Sequence, residues 1–213
     1  MNRRVVLKQL SALAMLAGGG QVALAQSDRP AFRTLDKPVA TDAGDKIEVL
    51  SFFHYGCPFC RQFDPIIAPW AEQLPEDVVF RSVPVTWGNP ALVNLARLHY
   101  ALATLPDYLK YKTAAFAAVQ DSKLRFESEQ VVRDWAAKQD GMDVEALIKA
   151  YNSFGVKTAL DRGDQLAMHY TVEGVPMVAV GGQFTTSPSM TGGYEQTLKV
   201  VDELIAKVRK PAG

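Results

Sequence analysis

Val49-Leu50-Ser51-Phe52-Phe53-His54-Tyr55-Gly56-Cys57-Pro58-Phe59-Cys60 carries a β-forming run through a turn into two cysteines spaced two residues apart, the only cysteines in 213 residues. The run starts at Ile47 and is rich in β-branched and aromatic residues, so it is read as a central strand. His54-Tyr55-Gly56 turns the chain. Pro58 suits the first position of a helix, where its missing N–H is no loss. That helix is expected to reach about Leu74, with a bend at Pro65 or Pro69. Cys57 then sits at the exposed helix N-terminus and Cys60 one turn deeper. With no third cysteine, a disulfide can join only these two. Closing so short a loop restricts the unfolded chain very little, which argues against a purely structural clasp in a peptide-binding or chaperone module. His54, Cys57 and Cys60 could be imagined as three metal ligands, but the usual fourth is missing, so neither a metal nor a cofactor is expected.

Residues 1–25 set the compartment. Arg3, Arg4 and Lys8 precede an apolar run from Leu10 to Ala17, and Ala23-Leu24-Ala25 offers a small-residue cleavage site. Gly18, Gly19, Gly20 and Gln21 interrupt the run short of the roughly 20 residues a spanning helix needs. A cleaved signal peptide is therefore expected, leaving a mature chain from Gln26 in the periplasm. Arg3-Arg4-Val5-Val6-Leu7-Lys8 also resembles a twin-arginine export signal, and the export route stays open. The remaining 188 residues suit one domain with an insertion and carry a net charge of −3. Nothing in that balance suggests a basic surface for nucleic acid or anionic lipid.

Gln26–Asp45 reads as a polar lead-in with a short strand near Phe32. Val78–Val85 is a second strand, after which the pattern takes the helical period over about residues 89–170. Asn89-Pro90 caps the first of these helices, with Leu92, Leu95, Ala96, Leu98 and Leu102 behind it. Others are expected over Pro106–Gln120, Ser128–Gln139, Asp143–Tyr151 and Ser153–His169. The β signal returns at Met177-Val178-Ala179-Val180, turns at Gly181-Gly182 and continues through Gln183-Phe184-Thr185 as a hairpin. A last helix is expected over Tyr194–Val208.

A C-x-x-C at a strand-to-helix turn, with Val175-Pro176 immediately before a later strand, resembles the thioredoxin fold. The helical block inserted between the second and third core strands narrows the resemblance to the DsbA family of exported thiol oxidants. Lys37-Pro38-Val39-Ala40, Val49 to Phe53, Asn152-Ser153-Phe154 and Gly174-Val175-Pro176 are similar to that family in order and spacing, over nearly the whole of residues 26–213. The resemblance implies an α/β thioredoxin-like domain and a cis bond at Val175-Pro176, with the Val175 backbone pairing with substrate beside the cysteines. It also implies reduced, unfolded exported polypeptides as substrates and a membrane quinone-linked oxidase of the DsbB type as partner. Isomerases of this class resemble dimers with an added N-terminal domain. The roughly twenty residues before the first strand leave no room for one, so a monomeric oxidant is expected.

A thiolate is the attacking species in disulfide exchange, and the unpaired amides and positive dipole end of a helix favour it at Cys57. Cys57 is expected to form the mixed disulfide and Cys60 to resolve it. Two positions depart from the family's pattern. Phe59 stands where many members have histidine, and it offers the thiolate neither charge nor donor, so a weaker oxidant is expected. Ser51 replaces the buried acid of the central strand, and its basic companion falls at or near Ser82. Glu48 is on the opposite face of the strand from Ser51. Asp64, four residues beyond Cys60, could substitute, although a solvated acid is the plainer reading. His54 is read either as a support for the Cys57 charge or as a loop histidine. Trp70, Trp87, Trp135, Phe52, Phe53 and Tyr55 are read as core.

Overall fold

The computed structural model describes residues 30–209, so the expected signal segment lies outside the described residues. Strand β2 (Ile47–Phe53) is an interior strand of a five-stranded sheet. It runs parallel to β3 (Val78–Pro84) on one side and antiparallel to β4 (Met177–Val180) on the other. Beyond β4 lie β5 (Phe184–Thr186) and β1 (Arg33–Thr34), both antiparallel to their neighbours, giving the order β1-β5-β4-β2-β3.

Six of the seven residues of β2 are buried, which explains its near-continuous apolar sequence: both sheet faces are covered. Val49 points to one face and packs with Phe63 and Ile67 of α1 (Pro58–Ala71) and with Leu198, Val201 and Leu204 of α8 (Tyr194–Arg209). Leu50 and Phe52 point to the other face and pack with Leu166 of α6 (Phe154–His169) and with Tyr170.

The helical insertion between β3 and β4 comprises α2 (Pro90–Leu102), α3 (Tyr108–Gln120), α4 (Glu129–Ala136), α5 (Val144–Tyr151) and α6. Asn89, Ser128, Asp143 and Ser153 cap α2, α4, α5 and α6 with side-chain oxygens that accept from amides of the first turn. The core of the insertion is continuous with the end of β2. Leu98, Phe116, Val132 and Leu147 share one apolar cluster with Phe53, Tyr55, Cys57 and Cys60.

Some expected boundaries move. The first helix stops at Ala71, and both Pro65 and Pro69 lie inside it. The third starts at Tyr108, after Asp107 in a left-handed conformation. A short helix α7 (Pro188–Thr191) precedes α8 and was not legible in the sequence pattern. The Gly181-Gly182 hairpin turn appears as read, with φ of 57° and 69°, the positive pair that a two-residue turn of this kind requires. A Cβ on Gly182 would lie 2.1 Å from the Val39 carbonyl, so the lead-in crosses the hairpin at a distance only glycine permits.

Candidate active site

The sharp passage from β2 into α1 puts the two cysteines where strand and helix meet. Cys57 is the N-cap residue of α1, with extended backbone at φ −84° and ψ 115°, and its Sγ accepts the Cys60 amide N–H at 3.2 Å. In a usual N-cap the acceptor is a serine or aspartate oxygen, so here a sulfur takes the place of that oxygen. Pro58 holds the first helical position without needing an acceptor for an N–H. The peptide bond before Pro176 is cis, and the Val175 carbonyl lies 3.5 Å from Cys57 Sγ.

The two thiols, both reduced, have unlike surroundings. The Cys60 thiol donates to the Cys57 sulfur and, with the amides of Cys60 and Phe59, brings Cys57 down to about 6 against the opposing effect of burial. Cys60 moves the other way: the hydrogen bond to Cys57 and its own burial push the thiol far above the usual range, while the Lys112 ammonium acts weakly in the opposite sense. Both shifts act in one sense: the pair's shared proton is favoured on Cys60 and the anion on Cys57. Exposure does not separate them as position on the helix suggested, since Cys57 is 6% and Cys60 3% accessible. The Val175 loop covers Cys57 from one side, and the aromatic cluster of Tyr55, Phe53 and Phe116 packs behind the turn.

His54 is half-buried in the turn, with its ring 5.7 Å from that of Trp87. Burial lowers its pKa, and Nδ1 finds no hydrogen-bond partner among the described residues. The imidazole is thus neutral at neutral pH and brings no positive charge to Cys57. Its backbone does participate, because the His54 carbonyl accepts the Cys57 amide at 3.0 Å. Phe52, Phe53, Tyr55 and Trp135 are core as expected, but Trp87 is 49% exposed, held by its indole N–H donating to the Val172 carbonyl at 2.7 Å. Phe59 is 60% exposed and forms one rim of a groove of about 820 Å³ that runs past Val175, Pro176, Met190 and Tyr194.

The expectation of a solvated Asp64 is corrected. Its carboxylate is ion-paired with Lys112 of α3, and both side chains are nearly inaccessible at 12% and 5%. Lys112 also donates to Ser82 Oγ at 3.1 Å and lies 4.8 Å from the centre of the Phe53 ring. Ser51 and Ser82 face each other in the β2–β3 register. At this register the strands thus carry two small hydroxyls, and the buried charge near Cys60 comes from two helices, while the buried Glu48 of β2 is paired with Arg81 of β3. Sequence reading missed Lys112, although Tyr108, Tyr111, Lys112, Ala115 and Phe116 recur at helical spacing and place a lysine on an apolar stripe. It also missed His99, which is completely buried, accepts or donates at 3.1 Å to the Tyr55 hydroxyl and is pulled down to about 3 by burial and by Lys112. Gln120, at the end of α3, was missed as well; its amide donates to the carbonyls of Tyr55 and Cys57 at 2.8 and 3.0 Å.

Residues 48–198 match the family model for a DSBA-like thioredoxin domain. The chain belongs to the DsbA family. It is 35% identical to the thiol:disulfide interchange protein DsbA of Bordetella parapertussis, over 98% of this chain and 97% of that protein. The DsbA of Pseudomonas aeruginosa strain PAO1 is 33% identical over 99% of both chains. The crystal structure of Pseudomonas aeruginosa DsbA aligns at a TM-score of 0.79 and 34% identity, covering 84% of this chain and 93% of that one. This DsbA-family chain is accordingly a thiol:disulfide oxidoreductase with a thioredoxin-like fold. No described helix is long and apolar enough to cross a membrane.

Two outcomes follow from the charges at this site. Replacing one member of the buried pair, by Lys112→Met or Asp64→Asn, strands the other and should cost about 3–5 kcal/mol in urea unfolding of the oxidised protein. The double variant Asp64→Leu/Lys112→Met should recover most of that loss. Small, additive losses would mean that the pair is effectively solvated. The second outcome concerns pH. Cys57 is depressed to about 6, so the reduced native state lacks a proton that the unfolded chain keeps up to about 8.5. The resulting stability is fully present above the unfolded value and is lost as pH falls through 6. Unfolding midpoints of the reduced protein, taken relative to those of the oxidised protein, should therefore rise from pH 6 to pH 8, and a flat difference would contradict the assignment.

Proposed function

We propose that this protein is a periplasmic dithiol oxidase that donates its Cys57–Cys60 disulfide to newly exported, reduced polypeptides through a mixed disulfide at Cys57. The observation that carries the reading is the asymmetry of the two sulfurs: one is stabilised as an anion by a helix cap, the other is kept protonated beneath it. A substrate thiolate attacks Cys57 Sγ of the disulfide, forming the substrate–Cys57 bond and breaking the bond to Cys60, which takes up a proton. A second substrate thiolate then attacks the substrate sulfur of that bond and releases Cys57. The substrate dithiol loses two electrons and two protons overall; the enzyme disulfide gains the two electrons and one proton at Cys60, and the other proton goes to solvent because Cys57 leaves as a thiolate. Cys60 attack on the mixed disulfide runs the exchange backwards, so resolution by Cys60 belongs to the reducing direction.

A thiol leaves more readily as its pKa falls, so the depressed Cys57 favours release of oxidised substrate. The same anion stabilises the dithiol form and makes the disulfide the more oxidising state. The groove rimmed by Phe59, Val175 and Pro176 suits an extended apolar segment of unfolded chain beside the sulfur. Reoxidation by a membrane quinone-linked enzyme of the DsbB type would complete the cycle, with the chain acting as a monomer. The oxidised protein, mixed in stoichiometric amount with a reduced, unfolded disulfide protein, should oxidise it within seconds to minutes. Cys57→Ser should abolish the transfer, and retention of activity in that variant would remove the proposal.

Phe59 supplies no charge at the first turn, so the amides and Cys60 stabilise the anion without a side-chain cation from that position. Phe59→His should lower the Cys57 pKa below that of the wild type, read from thiolate ultraviolet absorbance, and should make the disulfide more oxidising against a glutathione buffer. An unchanged or higher pKa would exclude the dipeptide as the reason for a weaker oxidant.

A further inference from the structure

The turn that presents Cys57 is held from outside the thioredoxin core. Gln120, the last residue of α3, points its amide nitrogen at two acceptors, the carbonyls of Tyr55 and Cys57. Because both neighbours can only accept, the nitrogen and not the oxygen must face them, and both N–H bonds are used. The Cys57 carbonyl also receives the Arg61 amide at 3.2 Å, so it serves the first turn of α1 and Gln120 together. Next to Gln120, Asp121 makes a two-pronged ion pair with Arg61 at 2.6 and 2.7 Å. The α3 end is itself fastened by Lys123 Nζ, which donates to the Gln120 carbonyl at 2.6 Å. On the inner side, the Tyr55 ring packs 4.8 Å from that of Phe116, one turn before Gln120 on the same helix.

We infer that Gln120 is a positioning residue for the redox reaction: its carboxamide fixes the Tyr55–Cys57 turn so that Cys57 Sγ stays on the helix amides, and it thereby tunes the oxidising power of the disulfide without touching either sulfur. This rests on the reading of Cys57 as the exchanging sulfur. Two effects act with the same sign. Without the clamp, the backbone that sets the N-cap angle at Cys57 loses its outer restraint, and the 3.2 Å contact between the sulfur and the Cys60 amide slackens. The Tyr55 carbonyl would also lose its donor and the Cys57 carbonyl would keep only the Arg61 amide, leaving more of their negative dipole ends uncompensated near an anion. Both favour the protonated thiol.

A glutamine that merely satisfies two loop carbonyls would influence folding and leave the sulfur chemistry alone, so the test reads the chemistry in folded protein. Gln120→Met keeps the length and shape of the side chain and removes both donors. It should raise the Cys57 pKa by about half a unit to one unit, a three- to tenfold loss of thiolate at a pH below the wild-type value. The equilibrium with glutathione should shift by several fold toward the protein disulfide, and oxidation of a reduced, unfolded protein should slow. Asp121→Asn breaks the neighbouring ion pair but touches neither carbonyl, and it should leave the pKa and the glutathione equilibrium where they were. Should Gln120→Met not fold, Gln120→Asn, whose shorter arm cannot span both carbonyls, is expected to give the same direction of change.

An unchanged pKa and equilibrium constant in the folded variant would overturn the inference, as would an equal change in Asp121→Asn. Failure of the underlying reading is seen separately, in a wild-type protein that oxidises nothing or in an active Cys57→Ser variant.

Discussion

A sulfur standing in for the oxygen of a helix cap is the contact on which the chemistry of this chain depends. The amide of Cys60 would otherwise be one of the orphan donors of the first turn of α1, and the Cys57 Sγ satisfies it at 3.2 Å. A neutral thiol is a poor acceptor and a thiolate a strong one, so the local need of the backbone is met best by the charged state. Folding and reactivity are thus coupled through one hydrogen bond. The sequence around it serves that geometry: Pro58 starts the helix without adding an unsatisfied amide, and β2 delivers the chain to the turn from a fully buried position.

The charge beneath the site shows a different solution to a recurring demand. Cys60 lies in a cluster of apolar residues, and polar groups placed there must be paired. In this chain the facing strand positions are Ser51 and Ser82, and neither brings charge. Lys112 comes down from α3 instead, meets Asp64 of α1 and completes its coordination on the Ser82 hydroxyl. The pair spans the thioredoxin core and the inserted domain, so it also cements their junction. His99 is kept neutral by burial and by the same lysine, which is consistent with its role as a hydrogen-bond partner of Tyr55 and not as a second cation.

Much of this was legible in the sequence because the signals were local. The C-x-x-C, the strand before it, the Asn89 cap, the helix starts at Ser128, Asp143 and Ser153 and the Gly181-Gly182 turn are all governed by neighbouring residues, and they fall where they were read. What was missed depended on contacts far apart in the chain. Asp64 read as solvated because its partner lies 48 positions away on another helix. Gln120 gave no pattern at all, since one side chain reaching back more than sixty residues leaves no period to detect. Trp87 read as core from its size, yet it follows the end of β3 at a φ of 45° and projects beside the active turn.

Those long-range contacts share one source. Phe116, Lys112 and Gln120 occupy three successive turns of α3, and they engage the Tyr55 ring, the Asp64 carboxylate and the Tyr55 and Cys57 carbonyls respectively. A single helix therefore backs the redox turn at its apolar, charged and backbone groups. Because α3 is part of the insertion, the insertion supports the Cys57 turn from behind. The groove past Phe59 is lined by the Val175 loop, α7 and the start of α8, all of the thioredoxin half. The turn that carries Cys57 is thus braced by the insertion, while its sulfur is capped by an amide of the thioredoxin half.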